Sequence, residues 1–289
     1  MRAKKYTILI TGGGTGIGAS LATDLGANGN KVIICGRRAE KLEAVTKQNE
    51  NICGFKCDVS KEAEVVLFKR HVSERFLCID VLINAAGLFG SIGRFDKTDS
   101  KQWRETIDVN LFGTYLITKH FLDLLLKSEV KKIINMSGGG AFNSFPNYSA
   151  YAVSKAAVVR FTENIAEELA ELGVQVNCVA PGFVATEIHK ATIDADKDRV
   201  GNNFYEFTLN KLREGAVPMD VVVNCVKFLI SPHSNGLSGK TISASFDKWD
   251  SEEFRNSIDK ISKSELFTMK RINLRNLDEK DELRGKLGK

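Results

Sequence analysis

Tyr6-Thr7-Ile8-Leu9-Ile10-Thr11-Gly12-Gly13-Gly14-Thr15-Gly16-Ile17-Gly18 decides the fold. The run up to Ile10 is continuously apolar, the pattern of a strand buried on both faces. The run from Thr11 is dense in glycine, and Ala19 to Ala27 beyond it is helix-forming, with Gly29 as a stop. A strand that turns through glycines into a helix opens a βαβ unit. The glycines permit a tight turn and close approach of a ligand to the backbone. The helix N-terminus then offers free N–H groups to a pyrophosphate. Gly12, Gly14, Thr15, Gly16, Ile17 and Gly18 are therefore candidate nucleotide contacts.

Lys31 to Cys35 reads as the second strand. In a dinucleotide-binding unit the end of this strand carries the residue that reads the adenosine ribose, and a carboxylate there favours NAD(H). This chain has Gly36-Arg37-Arg38 instead, with its first carboxylate at Glu40. Two guanidinium groups suit a 2′-phosphate through charge-assisted bonds, so Arg37 and Arg38 predict NADP(H) over NAD(H). A helix from Ala39 to Glu50, a strand from Cys53 to Cys57 and a helix from Lys61 to Phe76 continue the alternation. Asp58 and Val59 follow a strand end and are candidate adenosine contacts. Asp58 reads equally as an acceptor for the adenine amino group or as the N-cap of the next helix. A fourth strand, Asp80 to Ile83, ends in Asn84-Ala85-Ala86-Gly87, whose small residues let backbone lie against a flat ligand.

Ser100 to Lys127 reads as a long helix with Asn110 inside it, a residue that bonds locally and disturbs helices. Lys131 to Met136 is a fifth strand, closed by Ser137-Gly138-Gly139-Gly140. The helix after it contains Tyr151 and Lys155, four apart and so on one face. A phenol with a pKa near ~10 is a poor acid or base at neutral pH, and an adjacent ammonium lowers it toward the working range. Tyr148 lacks such a partner, because Ala152 stands four residues on. A strand from Gln175 to Val179 leads to Ala180-Pro181-Gly182. Phe183 to about Gly215 is polar, aromatic and irregular, the profile of a substrate lid with short helices. A helix from Pro218 to Ile230 and a strand from Lys240 to Ala244 complete a single α/β, doubly wound domain over 1–245. The remainder, 246–289, is charged with spaced apolar residues such as Trp249, Phe254, Ile258, Ile272 and Leu274. It reads as an extension packed on the core or on a neighbouring subunit, with a frayed basic end.

Composition narrows the function classes. The net charge of +5 is mild and its basic residues are dispersed, which disfavours nucleic acid and suits an anionic ligand. No apolar run reaches the ~18 residues of a membrane span, and Met1-Arg2-Ala3-Lys4-Lys5 leaves no room for a signal peptide before the first strand. The six cysteines form no C-x-x-C pair and no metal-ligand spacing, so buried free thiols, a cytoplasmic location and no metal are expected.

Four signals occur in one order: T-G-x-x-x-G-x-G from Thr11, N-A-A-G from Asn84, Y-x-x-x-K from Tyr151 and P-G at Pro181. Over roughly residues 5–245 the chain resembles the short-chain dehydrogenase/reductase family. The resemblance implies a Rossmann-type domain with a seven-stranded parallel sheet, a nicotinamide cofactor, and a homodimer or homotetramer. It implies Tyr151 as the acid/base, with Lys155 lowering its pKa and holding the nicotinamide ribose. Asn110 would order a water beside Lys155. Asn84, Ala85, Ala86 and Gly87 would line the adenosine side, and Pro181, Gly182, Val184 and Thr186 would border the nicotinamide. The family's catalytic serine lies 13 residues before the tyrosine, and that position is Gly138 here. Either Ser137, one place early, serves in its stead, or Asn143, Ser144 or a substrate group does. Ser243-Ala244-Ser245-Phe246-Asp247 likewise departs from the family's V-D-G-G. The expected activity is hydride transfer between NADP(H) and a secondary alcohol or ketone of a small or carrier-linked substrate, of sugar or 3-oxoacyl type. The rival is a nucleotide-binding sensor or scaffold with little turnover, which Gly138 favours and Tyr151, Lys155 and Asn110 oppose.

Overall fold

The computed structural model describes residues 5–271. Ile272, Leu274 and the basic end lie outside the described residues. The order is β1 (Thr7–Thr11), α1 (Gly16–Ala27), β2 (Lys31–Gly36), α2 (Ala39–Thr46), β3 (Ile52–Lys56), α3 (Glu62–Ser73) and β4 (Val81–Asn84). Then come α4 (Ser100–Ile107), α5 (Gly113–Leu126), β5 (Lys132–Met136), α6 (Ser149–Glu168) and β6 (Gln175–Ala180). The segment after β6 carries α7 (Lys190–Asp194), α8 (Lys197–Val200) and α9 (Asn202–Glu214). It is followed by α10 (Met219–Ile230), β7 (Thr241–Ser243), α11 (Glu252–Asn256) and α12 (Ile258–Ser262). The seven strands form one sheet in the order β3-β2-β1-β4-β5-β6-β7, every pair parallel.

The apolar strands are buried on both sides, as their runs required. Ile8, Ile10, Ile34 and Ile83 pack against the layer that holds α1 and α10. Leu9, Ile33, Leu82 and Ile133 alternate into the layer of α3, α5 and α6, beside Phe68 and Phe121. Strand order reverses between β1 and β4, and a crevice opens there beyond the strands' carboxyl ends, the usual ligand position in such a sheet.

Three elements differ from the sequence reading. The long helix expected from Ser100 is two helices joined by a π-helical turn, Asp108–Phe112, with Asn110 in its middle. The lid region contains α9, a 13-residue helix, besides its short turns. Of the six cysteines, all free, Cys53 and Cys78 are only half-buried. After β7 the chain packs Trp249, Phe254, Ile258 and Ile261 into the same apolar layer as α10. The Thr241 N–H donates to the Phe267 carbonyl at 2.8 Å, so this segment also covers the edge of β7. Among the described residues no helix is long and apolar enough to cross a membrane.

Candidate active site

The cleft begins at the glycine turn. Gly12 has φ +68°, and a Cβ on it would stand 2.8 Å from the Ala86 Cα. A Cβ on Gly18 would stand 2.4 Å from the Gly12 carbonyl oxygen. Side chains at either position would push α1 and the turn after β4 away from β1. Thr11, which opens the glycine motif and has no role of its own in the sequence reading, fixes that second turn: its Oγ1 accepts from the Ala85 and Ala86 N–H groups at 3.1 Å each. Thr15 caps α1 without a side-chain bond, and the first turn holds no acidic residue, so the helix N-terminus stays open to an anion.

A cavity of about 280 Å³ beside the turn is lined by Gly14, Arg37, Arg38, Asp58, Val59 and Ala86, among others. Asp58 is not the N-cap of α3. Lys61 holds that place, and the Asp58 carboxylate accepts from the Ser60 N–H at 3.1 Å and hydroxyl at 2.7 Å. Asn84 departs from the expectation that it faces the adenosine side. Its amide donates to Thr118 at 3.1 Å and to Asn135 at 2.9 Å, inside the core, while Ala85, Ala86 and Gly87 line the cleft. A second cavity of about 990 Å³ adjoins the first and reaches Gly16, Ile17, Gly18, Tyr151, Lys155, Pro181, Gly182, Val184 and Thr186. The glycine cradle, the open helix end and this length of cleft fit a dinucleotide.

Both arginines of the adenosine rim already face carboxylates. Arg37 pairs with Glu105 at 3.3 Å. Arg38 donates to Glu187 at 3.0 Å and to Thr15 Oγ1 at 3.2 Å, and Lys41 pairs with Glu187 at 3.1 Å. Lys41 and then Arg38 hold the Glu187 carboxyl below its ordinary range. Lys41 and Glu187 are site residues that sequence reasoning missed, because their partners come from opposite ends of the chain.

At the other end, α6 presents Tyr151 and Lys155 to the larger cavity. The Lys155 ammonium donates to the Met136 carbonyl at 2.9 Å and lies 5.8 Å from the Tyr151 ring centre. Burial lowers Lys155 to about 8. Burial also pushes the Tyr151 phenol above its ordinary value, contrary to the lowering expected from the lysine. The ammonium is engaged by a backbone oxygen, and loss of water around the phenol outweighs it. The side-chain amide of Asn110 bonds to protein groups. Its Oδ1 accepts from the Leu88 N–H at 2.9 Å, and its Nδ2 donates at 2.9 Å to the Leu88 carbonyl and to Ser154 Oγ. It clamps the segment after β4 onto α6 through the π turn, and π turns recur at functional sites.

Gly138 explains its own presence. A Cβ there would lie 2.1 Å from the Tyr151 Oη, so the phenol fills the space a serine would take. Ser137, at the end of β5, lines the same cavity, and its buried hydroxyl has no hydrogen-bond partner. Asn143 also lines it, whereas Ser144 is exposed and apart from it. Around these groups stand Phe89, Phe145, Phe183, Phe204 and Phe207. Tyr148 is buried among them and bonds Thr192 at 2.8 Å, which leaves Tyr151 as the tyrosine in the cleft. His189 stacks on Phe183 at 3.9 Å and meets Phe89 edge-on at 5.4 Å. Burial holds its imidazole down to about 4, and its Nδ1 has no partner.

Residues 6–197 match the model of the short chain dehydrogenase family. The chain belongs to that family. It is 30% identical over 239 residues to a 3-oxoacyl-[acyl-carrier-protein] reductase of Aquifex aeolicus, covering 81% of this chain and 93% of the relative. An actinorhodin polyketide ketoreductase crystallised with NADPH superposes with a TM-score of 0.74 at 28% identity, over 83% of this chain and 95% of that one. A ligand-free aldohexose dehydrogenase of Thermoplasma acidophilum gives 0.71 at 27% identity, over 83% and 92%. This short-chain dehydrogenase is accordingly an NAD(P)-dependent oxidoreductase with a Rossmann-type fold, and the reading as a binding protein without turnover gives way.

Proposed function

We propose that this short-chain dehydrogenase is an NADP(H)-dependent enzyme of the cytoplasm that interconverts a ketone and a secondary alcohol on a carrier-linked or small acyl-type substrate. The observation that carries the reading is a single cleft with an open glycine-turn helix end at one side and Tyr151 with Lys155 at the other. The nicotinamide, when bound, supplies or accepts the hydride. Arg38, Lys41 and Thr15 would hold the 2′-phosphate, and the N–H groups of the α1 N-terminus would hold the pyrophosphate. Val184, Pro181 and Thr186 would border the ring.

Tyr151 keeps its proton at neutral pH because it is buried, and it delivers that proton to the carbonyl oxygen of the substrate. The Lys155 ammonium, mostly charged below its value of about 8, stabilises the phenolate left behind. Ser137, with a free hydroxyl, orients the same carbonyl oxygen. Asn110 keeps α6 and the segment after β4 in register around them. The aromatic walls favour a 3-oxoacyl or other apolar ketone over a sugar. Each sugar hydroxyl buried against those rings without a partner costs about 1–3 kcal/mol. The relatives named for 3-oxoacyl and polyketide ketone reduction support the acyl-type reading, and the aldohexose dehydrogenase supports the sugar-type one. Half-exposed Phe112, Tyr115 and Val153 on and beside α5 and α6 support a homo-oligomer.

Single-turnover oxidation of NADPH against a 3-oxoacyl thioester, an aryl ketone and a keto-sugar tests the assignment. Tyr151→Phe is expected to lower the rate by at least two orders of magnitude, the scale of general acid catalysis, with NADPH affinity nearly unchanged. Lys155→Met is expected to weaken both binding and turnover. An unchanged rate in Tyr151→Phe would sink the mechanism.

A further inference from the structure

The two banks of the cofactor cleft are fastened together by one carboxylate. Glu187 lies in the segment after β6, 149 residues from Arg38. Its Oε2 accepts from Arg38 and its Oε1 from Lys41, while Arg38 also donates to Thr15 Oγ1. The neighbouring Thr186 sits over the glycine turn, where a Cβ on Gly16 would touch its side chain at 3.4 Å. The segment thus crosses the groove above the open end of α1 and is pinned on the adenosine bank. The pin occupies the guanidinium, ammonium and hydroxyl that a 2′-phosphate would use.

We propose that Glu187 is a specificity-determining residue that competes with the 2′-phosphate of NADP(H) for Arg38 and Lys41. The phosphate-bearing cofactor unfastens the strap, and NAD(H) leaves it fastened. The inference rests on the NADP(H) reading above. A 2′-phosphate brings about −1.5 to −2 charges and three acceptor oxygens, against one charge and two oxygens on the carboxylate. The two anions repel at one guanidinium, so they exclude each other. The stronger acceptor takes the site because the existing pair is about half exposed, where such pairs shift an equilibrium by no more than a few-fold. Arg37 is the other cation at this rim, and Glu105 engages it from α4 at 3.3 Å. Cofactor choice therefore depends on Glu187, which the groove must release, as well as on the arginines that attract.

Glu187→Gln removes the competing charge at an exposed position. Dissociation constants of NADPH, NADH, 2′,5′-ADP and 5′-ADP, measured by calorimetry at low salt on the full chain, read the effect. The variant is expected to bind NADPH and 2′,5′-ADP about 3- to 5-fold more tightly, with NADH and 5′-ADP within about twofold. The gain is expected to shrink near ~0.5 M salt. In the wild type, amide exchange over residues 186–190 is expected to be faster with 2′,5′-ADP than with 5′-ADP, and in the variant the two fragments give equal rates. If the wild type prefers NADPH and Glu187→Gln leaves that preference unchanged or weakens it, the competition is refuted and the NADP(H) reading stands. If neither protein gains affinity from the 2′-phosphate, the cofactor reading itself fails and the competition with it.

Discussion

At the scale of single residues, the decisive pair is Gly138 and Tyr151. The phenolic oxygen occupies the volume into which a Cβ at 138 would project, with 2.1 Å to Oη and 2.9 Å to Cζ. Giving position 138 the family's serine therefore does not restore a donor. It drives Tyr151 out of the cleft. Gly138→Ser is expected to reduce kcat at least tenfold and to cost about 1–3 kcal/mol of stability, the range for overpacking a filled site. Ser137→Ala, by contrast, leaves stability nearly unchanged, since that hydroxyl has no partner to lose. It is expected to lower kcat by about 10²–10³, the effect of losing one donor to a developing oxyanion. Steady-state kinetics beside thermal unfolding on the two variants checks both. A Gly138→Ser protein with higher kcat would show that the serine position was simply vacant.

At the scale of elements, the segment from Glu187 to α9 is held by stacked rings around a neutral imidazole. His189 is buried against Phe183 and Phe89 with a folded value of about 4, below the ~6.5 of an unfolded chain. The unfolded chain binds the extra proton first, so stability from this group is full above about pH 6.5. It is lost progressively as pH falls toward 4, by at most about 3 kcal/mol. His189→Gln is expected to show a shallower fall in Tm between pH 6.5 and 4 than the wild type. Parallel curves would mean that the acid limb belongs to other groups. This segment also marks where sequence stopped being informative. The strands, the glycine turn and the Tyr151–Lys155 spacing were legible because each depends on neighbours within one helix or one turn. The helix α9 carried a readable signal, Phe204, Phe207 and Thr208 at i, i+3 and i+4, hidden among polar residues. Glu187 carried none, because its partners are Arg38 and Lys41 and only the folded sheet brings them together. The engaged amide of Asn110 and the raised phenol of Tyr151 are likewise products of burial, and spacing along the chain does not encode burial.

At the scale of the whole molecule, the described chain beyond β7, up to residue 271, contributes to the core. Trp249 rests 5.8 Å from the Phe228 ring centre and donates its indole N–H to the Ala244 carbonyl at 3.0 Å; Phe254 meets Phe228 at 5.9 Å. Phe246 and Asp247, where this segment starts, also line the larger cavity, so the same stretch braces the cleft wall and closes the apolar layer over α10. Burying Trp249, Phe254, Ile258 and Ile261 contributes about 1.5–3 kcal/mol each, roughly 6–12 kcal/mol together. A domain's whole net stability is about 5–15 kcal/mol, so losing this segment competes with the entire margin. A chain ended after Asp247 is expected to lose cooperative unfolding or to aggregate, and its nucleotide affinity should fall because Phe246 and Asp247 lose the segment that braces them in the cleft wall. Trp249→Ala in the full chain is expected to cost about 3–5 kcal/mol, the cavity and transfer loss of a buried indole. Denaturant unfolding followed by far-ultraviolet circular dichroism separates these outcomes. A shortened chain that unfolds at the midpoint of the full one would mean that α10 and β7 close their own layer and that the segment only decorates it.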